Sequence, residues 1–314
     1  MLMLKFEKPL YELREKINEL QEIEQMSDNE EEIQKFKKAA ETFADELYNN
    51  LTPSQKIQIA RHPERPNFKD LVERISENFI EFHGDREGTD DRAIAGGPAT
   101  IDGIPVMLIG TYKGKSTKEN LIHNFGMPQP QGYRKALRLF KHAERFNMPI
   151  ITLIDTPGAY PGIKAEETAQ GTAIAVNLAE LAKIKVPVIA IITGEGCSGG
   201  ALGLAVANKV LMLEHSYYTV ISPEGCASIL WRDAALADKA ASALKITADD
   251  LLKFNIIDDI IKEPQGGAHY DYDLTAKNIK KKIVKNLKEL MSKSAEELRN
   301  DRYDKFRSKG VFAK

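Results

Sequence analysis

The stretch VPVIAIITGEGCSGGALGLAVANKVLML, residues 186–213, leads from one apolar run through a cluster of small residues into another apolar run. Val186–Ile192 has the length and the β-branched content of a buried strand. A glycine-rich turn follows, and the small residues of Gly200–Asn208 predict a tightly packed helix. Val210–Leu213 then predicts a second buried strand. Strand, helix and strand in succession are typical of an α/β protein.

The same alternation extends towards the N-terminus. Ile104–Ile109 and Ile150–Ile154 are further apolar runs bounded by glycine, proline or charge, so both faces of these strands should be buried. Helical patterns lie between the later runs, at Tyr133–Arg145 and Glu167–Ile184. We therefore expect an α/β core over residues 61–270.

Helical segments flank this predicted core. Apolar residues three and four apart predict a helical hairpin or arm over residues 1–60, with a capping box at Ser27–Glu30 starting its second helix. The prolines of Arg61–Phe68 then suggest a boundary. Beyond the core, residues 271–314 are predicted to form a C-terminal helix and tail, with one solvated amphipathic helix at Leu274–Leu298.

Composition narrows the class of protein. The 314 residues are 42% hydrophobic and 29% charged, with a formal net charge of -2, which gives no reason to expect nucleic acid or a membrane surface as the main partner. Charged residues begin at Lys5, so we expect no export signal and a cytoplasmic location. Cys197 and Cys226 are too few for a disulfide framework and lack zinc-site spacing, so no metal site is predicted.

Two glycine-rich segments are candidates for the chemistry. Gly194–Gly203 follows a predicted strand and opens a helix, whose free N–H groups favour negative charge. Asp155–Gly162 leaves the preceding strand and contains two Pro-Gly turns. Two such loops at neighbouring strand ends could each donate one N–H to the same oxygen. The alternative for each glycine is close packing of helix on strand.

Three other motifs partly match known nucleotide-binding or hydrolase motifs. Gly110–Ser116 resembles a phosphate-binding P-loop but has three residues between its glycines instead of four, and Asp155–Gly158 resembles the DxxG element of a GTPase without a matching guanine motif. Ser198 occupies the serine position of a GxSxG nucleophile elbow. Its histidine would have to be His215 or His269, and no sequence feature links either to it.

Longer motifs carry a resemblance to a known family. Residues 154–181, 186–213 and 217–231 closely resemble the carboxyltransferase alpha subunit family of bacterial acetyl-CoA carboxylase. The segments ARHPERPNF, FHGDREGTDDRAIAGGPATIDGIPVMLIG and IIDDIIKEPQGGAHYD agree with it. The resemblance covers the chain from about Phe6 to Leu290, in motif order.

The resemblance implies a crotonase-like (ClpP/crotonase) fold, in which β-β-α units form a spiral. It further implies an α2β2 assembly with a beta subunit that carries a zinc ribbon. The co-substrate would be carboxybiotin on the biotin carboxyl carrier protein, made by the ATP-using biotin carboxylase. The carboxyl group would pass to acetyl-CoA and give malonyl-CoA for fatty acid synthesis.

The resemblance also implies roles for individual residues. When carboxybiotin releases carbon dioxide, a ureido anion remains. This anion can itself take the methyl proton of acetyl-CoA, so no side chain need act as the base. Positioning and backbone donors remain for the protein to supply. We assign the biotin oxyanion to the amides of Gly199, Gly200 and Ala201, with Gly158 and Ala159 from the neighbouring loop.

Several further expectations are less specific. Tyr160 and Tyr133 are candidates for shaping a biotin channel, although buried aromatic residues usually serve packing. Arg134 and Lys135 could orient a carboxylate or a CoA phosphate, or form surface ion pairs. Glu224 is expected to brace a turn.

Two observations keep other readings open. Thr168-Ala169 stands where the family pattern leads us to expect Arg-Gly, which puts a salt bridge from that position in doubt. Glu195 and Glu167 leave open an enoyl-CoA hydratase or isomerase, which would need glutamates beside the oxyanion loops. In a third reading, the chain is a non-catalytic scaffold subunit.

Overall fold

The computed structural model describes residues 2–24 and 30–310 of the chain. Seven β-strands occur in these residues: β1 (Ile94–Ile101), β2 (Ile104–Thr111), β3 (Ile150–Thr156), β4 (Val188–Cys197), β5 (Lys209–Leu213), β6 (Tyr217–Thr219) and β7 (Asp259–Ile261). They form one sheet in the order β1-β2-β3-β4-β5-β7, and β6 pairs with the end of β4. β1 and β2 are antiparallel, and the other pairs are parallel.

Helices pack on both faces of this sheet. The α-helices of the described residues are α1 (Lys8–Glu24), α2 (Glu30–Asn49), α3 (Pro53–Ala60), α4 (Phe68–Ile75), α5 (Thr117–Ile122), α6 (Pro130–Arg145), α7 (Ile163–Glu167), α8 (Gln170–Lys183), α9 (Ser198–Ala205), α10 (Pro223–Trp231), α11 (Ala237–Leu244), α12 (Ala248–Lys253), α13 (Tyr272–Leu290) and α14 (Ala295–Arg307). Successive residues of β3 alternate between two cores: Ile150 packs with residues of α6, α8 and α9, and Ile151 with residues of α4 and α13. The predicted α/β architecture and all four predicted strands are confirmed.

Two features of the sheet differ from the sequence prediction. β1 was not predicted, because its Gly96-Gly97-Pro98 segment reads as a loop. The glycine is required there, since a Cβ on Gly97 would lie 1.8 Å from the carbonyl oxygen of Ile80. β4 also continues beyond the predicted run, through Gly194 to Cys197, and all ten of its residues are buried. The turn into α9 therefore begins at Ser198.

The predicted helix over Glu167–Ile184 is divided. α7 ends at Glu167 and α8 begins at Gln170, with Ala169 between them in the left-handed conformation at φ 69°. Steric contact between Cβ and backbone disfavours this conformation for every residue except glycine. The departure from the expected family pattern thus falls at a position where the backbone favours glycine.

The C-terminal region also differs from the prediction of one solvated helix at Leu274–Leu298. α13 ends at Leu290 and Ser294 caps a separate helix, α14. Both helices bury apolar residues, in keeping with the predicted apolar stripe. Ile283 and Leu298 pack into the core that lies on the α4 side of the sheet.

At the N-terminus α1 and α2 pack against each other, while Ser27, Asp28 and Asn29 of the predicted capping box lie outside the described residues. Between α3 and α4 the chain is tied to the far end of the sequence. The Arg65 guanidinium donates to both carboxylate oxygens of Glu263, at 3.0 and 2.6 Å, and to the Thr193 carbonyl at 2.6 Å. Both side chains are almost fully buried. The predicted boundary segment is therefore anchored in the core.

Two buried histidines lie beside this ion pair. The rings of His62 and His269 are stacked, with centroids 3.9 Å apart. Neither ring nitrogen of His269 has a hydrogen-bond partner among the described residues. Burial is the main cause that lowers the pKa of His269 to about 3, and the neighbouring His62 and Arg65 lower it further.

We predict that Ala169→Gly stabilises the protein by about 0.5–1 kcal/mol, because glycine adopts the left-handed conformation without the steric cost. The matched control is Ala182→Gly, in the exposed part of α8, which should lose about 1 kcal/mol of stability through helix propensity. Urea unfolding monitored by circular dichroism measures both. Equal destabilisation by the two variants would contradict the argument.

We predict that His269 makes the protein acid-sensitive. Its pKa is lowered on folding, so the unfolded state binds more protons below the ordinary histidine pKa of about 6.5, and stability falls as the pH drops from there. The expected loss is about 1–2 kcal/mol between pH 7.5 and pH 5. His269→Phe keeps an aromatic ring against His62 and should have a shallower decline in urea-unfolding stability over this range. Identical declines would show that His269 does not titrate in this way.

Candidate active site at two glycine turns

The two glycine-rich segments meet at neighbouring strand ends. β3 and β4 are parallel, and Thr156 pairs with Gly196 at their carboxyl ends. Each strand then turns, into the loop after Thr156 and into α9. A Cβ built on Gly200 would lie 2.5 Å from both the Gly158 carbonyl carbon and the Ala159 nitrogen. Gly200 therefore packs directly on the peptide bond between Gly158 and Ala159.

The backbone of each turn has an unusual conformation. Gly158 has φ 143°, and its N–H donates to the Thr156 hydroxyl oxygen at 3.1 Å, while that hydroxyl donates to the Gly158 carbonyl at 2.8 Å. The Gly158 amide is thus already bonded, and this does not support its assignment as an oxyanion donor. Ser198, at the start of α9, has φ 58°.

Other amides of the two turns remain free. Within the described part of the chain, the N–H groups of Ala159, Gly199 and Gly200 donate to no protein acceptor. For the two glycines the reason is their place in the first turn of α9. Gly200 and Ala201 are buried, and a buried N–H without a partner is rare in proteins. These amides are therefore suited to bind an oxygen from a ligand.

The first turn of α9 is held from behind by α6 and α8. The Tyr133 hydroxyl donates to the Gly200 carbonyl at 3.1 Å, and the ring is fully buried against Gly203. The Asn177 amide donates to the Tyr133 carbonyl at 3.1 Å and the Gly203 carbonyl at 3.3 Å. Tyr133 therefore packs and positions the turn, and it does not line an open channel.

A charged network lies on the other side of the turns. The Lys113 ammonium donates to Asp155 Oδ1 at 2.8 Å and to Glu195 Oε1 at 2.6 Å. Asp155 Oδ1 also accepts from the backbone N–H of Glu195 at 2.8 Å. Burial would raise the pKa of Glu195, but Lys113 and Arg61 outweigh it and hold the pKa at about 2.

Arg61 extends this network to α10. Its guanidinium donates to Glu195 Oε2 at 2.8 Å, to the Tyr217 hydroxyl at 2.9 Å and to Glu224 Oε1 at 2.6 Å. Tyr217 also donates to Glu195. Glu224, at the start of α10, thus pairs with Arg61, in keeping with the predicted bracing role.

Two cavities adjoin the turns. One, of about 470 Å³, is mainly apolar and reaches Ser198 and Gly199 at its edge, with Tyr218 and Ile246 among its walls. The other, of about 340 Å³, is lined by the charged network and by Pro157. The two turns thus have an apolar cavity beside the free amides and a polar cavity beside the ion pairs.

The remaining candidate residues lie around these turns. Tyr160 is half-buried, and its amide donates to the Pro128 carbonyl at 2.9 Å. Arg134 is engaged by the Thr168 carbonyl at 2.8 Å and by Glu87 at 3.2 Å. Lys135 forms a buried ion pair with Asp90, where a surface pair was expected. These contacts leave both cations occupied within the chain.

Several expected alternatives find no support in the geometry. His215 and His269 lie near Glu263 and His62, and neither contacts Ser198. A helix follows Ser116, but α5 has only six residues, and the glycine spacing is wrong for a P-loop. In residues 2–24 and 30–310, no group of histidine, cysteine, aspartate or glutamate side chains could hold a metal ion. No helix in these ranges has the length and apolarity to cross a membrane.

Comparison with known proteins now decides the family. The model for acetyl co-enzyme A carboxylase carboxyltransferase-like proteins matches residues 3–310. The chain belongs to the acetyl-CoA carboxylase carboxyltransferase alpha family. The acetyl-coenzyme A carboxylase carboxyl transferase subunit alpha of Prochlorococcus marinus (strain NATL2A) is 53% identical over 99% of this chain and 95% of its own length. That of Geobacter metallireducens is 54% identical over 99% of this chain and 98% of its own length.

Solved structures agree with this family at the level of the fold. Transcarboxylase 12S superposes with a TM-score of 0.61 at 18% identity, over 78% of this chain and 46% of that one. This chain therefore spans about half the length of the transcarboxylase chain. One chain of the MdcD-MdcE heterodimer of Pseudomonas malonate decarboxylase gives a TM-score of 0.56 at 16% identity, over 70% of this chain and 90% of that one. The predicted crotonase-like fold is confirmed.

The charged network of this alpha-family chain was not predicted from the sequence. Lys113 was considered only within the rejected P-loop, and Arg61 only within a boundary segment. Their signal was weak, because a lysine between two glycines and an arginine at a helix end are ordinary surface patterns. Only the fold places both against Glu195.

We predict that Tyr133→Phe lowers the free energy of unfolding by about 1 kcal/mol, because it removes one buried hydrogen bond to Gly200 at nearly constant volume. Tyr218→Phe is the matched control, since Tyr218 is half-buried and its hydroxyl has no partner among the described residues. Thermal or urea unfolding compares the two. Equal losses would mean that the bond to Gly200 contributes nothing measurable.

Proposed function

We propose that this chain is the alpha half of a carboxyltransferase. With a beta subunit, it transfers the carboxyl group of carboxybiotin, carried on the biotin carboxyl carrier protein, to acetyl-CoA. The product is malonyl-CoA for fatty acid synthesis. Family membership supports the reaction class, and the substrates are proposed for this chain.

The observation that carries the proposal is the pair of touching turns with free amides. The ureido oxygen of biotin becomes negatively charged when the carboxyl group leaves. Backbone N–H groups fixed in advance stabilise such an oxygen without reorganisation in the transition state. The amides of Gly199 and Gly200, with that of Ala159 across the contact, are the proposed donors. Ala201 continues the same helical turn.

The charged network argues against a hydratase. An enoyl-CoA hydratase of this fold needs a glutamate that can exchange a proton beside the oxyanion site. Glu195 is held ionised by Lys113 and Arg61, with its pKa lowered to about 2. Glu167 is exposed at the end of α7. The proposed reaction needs no protein base, because the nitrogen of the biotin ureido group can take the proton.

Exposed apolar residues support a protein partner. Val220 is 80% exposed at the edge of the apolar cavity beside Gly199, and Ile229 and Leu230 of α10 are 71% and 63% exposed. Exposed apolar patches on a protein surface mark sites of association. We propose that the beta subunit, which would bear the zinc ribbon, covers this surface in an α2β2 assembly. The carrier protein and biotin carboxylase would join it in the cytoplasm, where Cys197 and Cys226 remain free thiols.

The experiment is the reverse reaction, the malonyl-CoA-dependent carboxylation of biocytin. We expect activity from the chain mixed with its purified beta subunit, and none from either alone. Gly200→Ala should lower turnover about 10²- to 10³-fold, because its methyl group displaces the Gly158–Ala159 peptide and with it the donors. Gly171→Ala is the matched control, since its methyl group meets nothing within 4 Å.

Assembly of each variant is checked by gel filtration, and crotonyl-CoA hydration by the chain alone is assayed in parallel. An inactive but well-assembled wild-type complex would refute the carboxyltransferase proposal. Full activity of assembled Gly200→Ala would instead favour the scaffold reading, in which these glycines serve packing alone. Hydration of crotonyl-CoA would favour the hydratase.

A further inference from the structure

We propose that Lys113 is a positioning residue that holds the two oxyanion turns in register through a single, largely buried ammonium group. This inference rests on the proposed function. Lys113 touches neither turn's free amides. It acts on the residues from which each turn departs, Asp155 at the end of β3 and Glu195 near the end of β4.

The Lys113 ammonium bridges two carboxylates. Asp155 lies three residues before Gly158, and Glu195 lies five residues before Gly200. The Lys113 ammonium is 2.8 Å from the first carboxylate and 2.6 Å from the second. The two acids come from different strands, so the ammonium joins the bases of both turns.

A second contact makes the arrangement rigid. Asp155 Oδ1 accepts the Glu195 N–H as well as the lysine. A Cβ on Gly194 would lie 2.5 Å from that same oxygen, so the carboxylate sits directly on the β4 backbone. The lysine stem is equally confined, since a Cβ on Gly126 would lie 2.5 Å from Lys113 Cγ.

Charge explains why a cation is required there. Asp155 and Glu195 have side chains only 13% and 9% exposed, and both lie within hydrogen-bonding distance of one nitrogen atom. Without the ammonium, two poorly solvated carboxylates would face each other at short range and repel. Arg61 neutralises the far oxygen of Glu195, but it makes no contact with Asp155 among the described residues. Loss of Lys113 would therefore push the two strand ends apart.

The test uses the reconstituted complex with beta and the biocytin assay. Lys113→Met keeps the stem and removes the charge, and we expect kcat to fall at least 10-fold while the KM for malonyl-CoA changes less than 2-fold. Lys113→Met with Asp155→Asn removes one of the opposed charges and should recover several-fold of the lost kcat. Lys115→Met, two residues along and paired with Asp70, is the matched control and should leave kcat unchanged.

The outcomes separate the two proposals. Activity of the wild-type complex tests the proposed function by itself, before any lysine variant is considered. Given that activity, an unchanged kcat in Lys113→Met, or a second substitution that lowers kcat further, would overturn the positioning role. Should Lys113→Met fail to assemble, Glu195→Gln keeps the shape and removes one charge of the bridge. It is then expected to lower kcat with KM unchanged, and an unchanged kcat would overturn the inference.

Discussion

The site depends on one close approach, that of Gly200 to the peptide bond between Gly158 and Ala159. No side chain fits between these backbones, so the distance between the two turns is set by the sheet and by the helices behind it. The parallel register of β3 and β4 brings the strand ends level. Tyr133 holds the helical side of the contact, and Asp155 holds the strand side. The free amides are consequences of this arrangement.

The strands that could be predicted from the sequence are those buried on both faces. Both faces of β2, β3, β4 and β5 are covered, so their sequences are continuous apolar runs that can be recognised directly. β1 escaped prediction because its backbone passes close to Ile80 and requires glycine, which reads as a break. The interruption at Ala169 was hidden for the opposite reason, since alanine is the strongest helix former and gives no sign of a left-handed turn.

The glycine turns of the site could be predicted from the sequence, whereas its ion pairs could not. Gly199 and Gly200 stand between a strand and a helix in the sequence itself, and the second turn shares that context. The family resemblance then suggested their chemistry. The pairing of Lys113 with Glu195 joins residues 82 positions apart, and sequence spacing carries no information about such a contact. The bonded state of the Gly158 amide likewise depends on a hydroxyl rotamer that no motif records.

The Arg65–Glu263 ion pair has a consequence for biosynthesis. Its partners are 198 residues apart, and each becomes an uncompensated charge in the core if the other is missing. At about 5–20 residues per second, a ribosome needs roughly 10–40 s to make the intervening chain. During that interval the segment before α4 cannot adopt its final place. The contact that ties this segment to the edge of the sheet at β7 therefore forms late, after Glu263 has emerged and can meet Arg65.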